Sequence, residues 1–139
     1  MKRILIGITL VLLVVTIISC SVPKELSLHQ PVEEINQVEL INNSAGDLKV
    51  LRSLSEYEIP YFIDSILELK CHKSFQPSGE YGAYVVRIVY KNGDTEYLGS
   101  SALAYESDES EYDGWYSLSH DDLYVLFAKY VNRALLPPP

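Results

Sequence analysis

Three short runs in this 139-residue chain carry residue types that could do chemistry. The densest holds Glu106, Asp108, Glu109, Glu111 and Asp113, five carboxylates within eight residues. Counted from Glu109, a calcium-binding loop would place ligands at Glu111 and Asp113 and its turn glycine at Gly114. The count breaks at its last position, where His120 stands in place of a bidentate glutamate. A solvated acidic loop is therefore expected, and no metal ligand is assigned. Ser119-His120-Asp121 contains the residue types of a hydrolytic triad, but adjacent residues cannot converge into a relay. The same letters suit the start of a helix, with a serine cap and acids at the positive end of the dipole. Cys71-His72 supplies two potential zinc ligands with no second pair at ligand spacing. If the pair ends a helix, its side chains diverge by about 100°, which is wrong for a thiolate and its base.

Aromatic residues offer a different chemistry. The chain has 11 tyrosines, and Tyr105, Tyr112, Trp115 and Tyr116 flank the acidic run. Tyrosine and tryptophan give large contact areas at small entropic cost, so these four form the candidate binding surface. The other tyrosines suit strands, where the ring packs and the hydroxyl reaches the edge. No catalytic residue and no cofactor-binding residue is assigned.

Positioning that surface requires a scaffold, and hydrophobic spacing describes one. Val38 and Leu40, then Leu48 and Val50, alternate with polar neighbours around the turn formers at 42–47, which predicts two strands. Ile59, Phe62, Ile63, Ile66 and Leu67 fall on one helical face. Ser55 and Glu58 have capping-box spacing, but Pro60 belongs in a first turn, so the helix is expected over 59–71. Asn92-Gly93 is the preferred pair for a two-residue type I′ hairpin. Counting from that turn pairs Tyr90 with Thr95, Ile88 with Tyr97 and Val86 with Gly99. Tyr84, Val86, Ile88, Tyr90 and Tyr97 would then face the core, with Arg87 and Glu96 opposite. Short strands are expected at 102–105 and 115–118. A final helix follows from Ser119, with a stripe of Leu123, Leu126, Phe127, Tyr130, Val131 and Ala134. The order β-β-α-β-β-β-α predicts an α+β fold, a mainly antiparallel sheet with two amphipathic helices on one face.

Ahead of this domain, Lys2 and Arg3 precede the apolar stretch 4–18. As a helix the stretch spans roughly 22 Å, less than the roughly 30 Å of a bilayer core, which suits a cleaved signal better than a permanent span. The residues at its end, Ile17-Ile18-Ser19-Cys20, resemble the lipobox of bacterial lipoproteins. That resemblance implies cleavage after Ser19 and a diacylglyceryl group on the Cys20 thiol. It implies the outer face of a cell membrane, or an outer membrane where there are two, since Ser21 is not the retaining aspartate. On this reading 1–19 is the signal peptide, 20–34 the lipidated cysteine and a flexible tether, 35–136 the α+β domain and 137–139 a proline tail. A free tether over 21–34 would reach at most about 50 Å.

The net charge of -8 bounds the partners. Removing Lys2 and Arg3 takes 11 basic residues to 9 against 19 acidic ones, or -10. Such a chain repels phosphate backbones, so no nucleic-acid partner is expected. The expected activity is non-catalytic binding of an envelope component, a protein being the first candidate, with membrane attachment through Cys20. Two rivals stand beside it. One is an envelope hydrolase using acidic residues, which requires two carboxylates flanking a cleft. The other is a single-pass protein whose apolar segment is not cleaved.

Overall fold

Antiparallel pairing organises the computed structural model, which describes residues 23–73, 81–106 and 116–136. The signal segment, Cys20, Tyr112, Trp115, the acids at 108–113 and the tail 137–139 lie outside the described residues. Among the described residues there are eight strands: β1 (Lys24–Glu25), β2 (Ile35–Asn42), β3 (Lys49–Ser53), β4 (Lys70–Lys73), β5 (Tyr84–Tyr90), β6 (Thr95–Gly99), β7 (Leu103–Glu106) and β8 (Tyr116–Leu118). Five form one sheet in the order β3-β2-β5-β6-β7, and three form a second in the order β1-β4-β8. The helices are α1 (Ile59–Leu67) and α2 (His120–Phe127). The fold is α+β.

One core lies on the inner face of the large sheet. Val38, Leu40, Tyr84, Val86, Ile88, Tyr90 and Leu98 meet Phe62, Ile63 and Ile66 of α1 and Leu123, Leu126 and Phe127 of α2. Cys71, Leu118 and Leu26 bring the small sheet and the N-terminal segment into the same cluster. Each large side chain fully buried there contributes about 1.5–3 kcal/mol of transfer free energy. Both helices therefore cover one face, but α2 ends at Phe127, short of the expected stripe, and Ala134 is exposed in a 3-10 turn at Arg133–Leu135. Ser119 caps α2, its hydroxyl oxygen accepting from the Asp122 N–H at 3.4 Å. Ser55 donates from its N–H and hydroxyl to the Glu58 carboxylate at 3.0 and 2.8 Å, one turn ahead of Pro60. Those two bonds hold the Glu58 carboxyl below its ordinary range.

Three departures from the expected pattern shape the site. Helix α1 stops at Leu67, and Cys71-His72 belongs to β4, where Cys71 pairs with Lys24 on one side and Leu118 on the other and His72 pairs with Ser117. In K-C-H-K only Cys71 is buried, an alternation that four residues show too briefly to compete with a strong helical stripe. Within the segment 20–34 expected as a flexible tether, residues 24–34 carry β1, the buried Leu26 and a 3-10 turn at Val32–Glu34.

The third departure is the hairpin. The Gly93 N–H donates to the Tyr90 carbonyl at 3.0 Å and the Tyr90 N–H to the Asp94 carbonyl at 2.9 Å, closing a three-residue loop. Gly93 has φ +93°, while no described residue other than glycine has positive φ, so Asn92 does not adopt the type I′ conformation. The loop is one residue longer than expected. Val89 pairs with Thr95, Ile88 with Glu96, Arg87 with Tyr97 and Val86 with Leu98. A one-residue change of register exchanges the faces of a strand. Tyr97 consequently leaves the main core, and Glu96 enters it.

Candidate functional site

Glu96 is 2% exposed, and its carboxylate needs partners because an unpaired buried charge costs several kcal/mol. Three contacts supply them. The Tyr90 hydroxyl donates to Oε2, the His29 N–H donates to the same oxygen at 3.2 Å, and His29 Nδ1 lies 2.8 Å from Oε1. Tyr90 comes from β5 beside the turn, while His29 comes from the N-terminal segment. Burial, and then the adjoining carboxylate, push the Tyr90 hydroxyl well above the ordinary tyrosine range.

The N-terminal segment is strapped across this part of the sheet. His29 stacks on Tyr105 with ring centroids 4.3 Å apart and planes 9° from parallel. The neighbouring Gln30 Nε2 donates to the Tyr105 hydroxyl at 2.8 Å and to Asp94 Oδ2 at 2.9 Å. The Tyr105 hydroxyl donates in turn to Asp94, which raises its pKa. Tyr105 is thus fastened by its ring and by its hydroxyl. Two residues of β1 pair with β4 and complete the strap.

Between strap, small sheet and large sheet lies a cleft of about 130 Å³. Its lining includes Lys24, Leu26, Cys71, Glu96, Tyr105 and Tyr116. Tyr116 stands across from Lys73 on the β4–β8 ladder, and the Lys24 ammonium lies 4.9 Å from its ring centroid. Cys71 is a buried free thiol whose pKa burial raises, while Lys24 pulls it the other way. A buried acceptor, two tyrosine rings and one ammonium in so small a hollow can hold and orient a polar group of a few atoms.

Of the four aromatic candidates, Tyr105 and Tyr116 line this one cleft, and Tyr112 and Trp115 lie outside the described residues. Glu96, His29 and Lys24 carried no recognisable motif. The one signal for Glu96 was the local run Lys91-Asn92-Gly93-Asp94, which also fits a three-residue loop with a left-handed glycine. Among the described residues, no three His, Cys, Asp or Glu side chains are grouped to hold a metal ion. No helix among them is long and apolar enough to cross a membrane.

A search of protein-family models finds none that matches the chain, and searches of curated proteins and of solved structures find no significant match.

Proposed function

We propose that the chain is a binding domain held on the outer face of a membrane by lipid on Cys20, and that it recognises an envelope component through the cleft between its two sheets. The observation that carries the binding reading is the convergence of Tyr105, Tyr116 and the buried Glu96 on one hollow. Its volume, about 130 Å³, suits a single small group, since a cavity of roughly 150 Å³ holds a benzene ring. The lining favours recognition over acid-base hydrolysis. Glu25, the second carboxylate at the cleft, is 89% exposed in its side chain and pairs with Lys70 at 3.5 Å, while Glu96 is buried and accepts from Tyr90 and His29, so each already has a partner within the protein.

Two measurements test the reading. The N-terminal peptide of the membrane-extracted protein should begin at Cys20 and carry a diacylglyceryl mass; an unmodified peptide beginning at Met1 overturns the anchor. A photo-reactive phenylalanine at the cleft-lining position Leu103 should give a discrete adduct in intact membranes that Tyr116→Ala abolishes. A lipidated protein that yields no such adduct overturns the cleft as recognition site.

A further inference from the structure

The strap fixes where the cleft sits. Strand β1 starts at Lys24, four residues after Cys20. Four extended residues span at most about 14 Å, against the roughly 50 Å of a free 14-residue tether. With lipid on Cys20, the reading on which this inference rests, the Lys24 edge of the cleft is held within about 14 Å of the lipidated residue, in or just above the headgroup layer of the bilayer that holds the anchor.

The lining also has two signs. Glu96 Oε2 is engaged twice, whereas among the described residues Oε1 is met by His29 Nδ1 alone, which leaves it further acceptor capacity. At the other side the Lys24 ammonium hangs over Tyr116, and Lys73 is the cross-strand neighbour of the same tyrosine. Of these two lysines only Lys24 lines the cleft; Glu25, which also lines it, is paired with Lys70 at 3.5 Å, so Lys24 is left as the charge at the mouth. A simple anion would meet the buried carboxylate, and a simple cation would meet Lys24. A zwitterion satisfies both.

We propose that the cleft binds the phosphoethanolamine headgroup of an aminophospholipid. The ammonium enters toward Glu96, where a charge-assisted hydrogen bond to the carboxylate holds it. The phosphate remains at the mouth, against Lys24. The distance between amine and phosphate in this headgroup is two carbons, which matches a hollow of about 130 Å³.

The test uses the full chain with its N-terminal peptide mass determined, in nanodiscs of phosphatidylglycerol alone or with one third phosphatidylethanolamine. Hydrogen exchange at 24–27 is expected to slow about tenfold when phosphatidylethanolamine is present, the effect of one charge-assisted contact. Both Glu96→Gln and the exposed-site variant Lys24→Ala should remove that difference. Micelle-solubilised protein titrated with glycerophosphoethanolamine, and with glycerophosphate as the amine-free control, separates the lipid from a free headgroup compound. Slowing by the free compound but not in the discs overturns the bilayer as source. Equal exchange under all conditions in lipidated protein, or slowing by a lysine-rich peptide instead, overturns the ligand. An N-terminal peptide without diacylglyceryl overturns the anchor, and with it the nearness of the cleft to the headgroup layer.

Discussion

Two carboxylates are buried on opposite faces of the same sheet, and they are held in opposite ways. Glu39, 8% exposed, lies on the outer face directly across from Arg87 on the β2–β5 ladder. The guanidinium donates to it from Nε at 2.5 Å and pairs with it again through Nη2, and Gln37 donates at 2.8 Å. Burial opposes the Arg87 charge, and Glu39 outweighs that effect, leaving the arginine pKa raised. Ile41, Val85, Tyr97 and Ala104 close around this pair as a small second core, with Tyr81 stacked on Tyr97 at 4.7 Å. Glu96, on the inner face, meets a phenol and a histidine instead of a guanidinium and borders a cleft. A charge cancelled by its own neighbour fastens a fold. A charge held by hydrogen bonds beside a hollow retains the capacity to meet something else.

Breaking the outer pair should have the largest effect. Arg87→Ala leaves Glu39 buried without its counter-charge, and the expected loss is about 3 kcal/mol, the low end for a buried pair because Arg87 is partly exposed. Urea denaturation measures it, and a loss below about 1 kcal/mol would erase the distinction between the faces. Glu96→Gln should cost less, about 1–2 kcal/mol, because the amide oxygen still accepts from Tyr90 while one contact to His29 is lost. Equal costs for the two substitutions would mean that both carboxylates serve the fold alike.

Alkaline pH sharpens the contrast. Ionised Tyr90 would place a phenolate against the Glu96 carboxylate in a buried site, so its folded pKa lies above the unfolded value of 10.0. The proton is held more tightly in the folded chain, so this contribution is fully present below pH 10 and is lost as pH rises through the folded pKa. Tyr97 is also raised, by burial first and then by Glu106, but a hydrogen bond with Arg87 works against the rise. Stability measured against pH should therefore fall above pH 10. Tyr90→Phe should flatten that fall more than Tyr97→Phe, and the reverse order would place the stronger coupling on the outer face.

Much of this scaffold was legible, because long periodic stripes leave few alternatives. Phe62, Ile63 and Ile66 and then Leu123, Leu126 and Phe127 occupy the faces their spacing requires, and Ser119 caps where its neighbours indicate. Strands β1 and β4 were not legible, since two and four residues are too few to establish a period and their order comes from pairing with distant segments. The cleft was half legible. Tyr105 and Tyr116 stood out as aromatic neighbours of an acidic run, whereas His29 and Lys24 reach the cleft only because the strap packs. Tyr57 and Tyr61, 86% and 74% exposed near and on α1, show that tyrosine content alone does not mark a site. Glu96 was misplaced for a sharper reason. Asn-Gly fits two loop lengths, and the choice between them inverts every side chain of β6.

That choice can be tested with the smallest of the expected effects. An added Cβ at Gly93 would meet nothing within 4 Å, so Gly93→Ala probes the left-handed conformation without a packing change. The expected loss is about 1 kcal/mol, and Gly93→Asn should recover part of it, because asparagine tolerates positive φ better than alanine. The loop precedes both faces in the chain of causes: it sets the register that puts Glu96 inside and pairs Tyr97 with Arg87. Gly93→Ala should therefore lower total stability while leaving the coupling between Arg87 and Glu39 in a double-mutant cycle unchanged. A change in that coupling would mean that the register itself had moved, and the Glu96 contact to His29 would be lost with it.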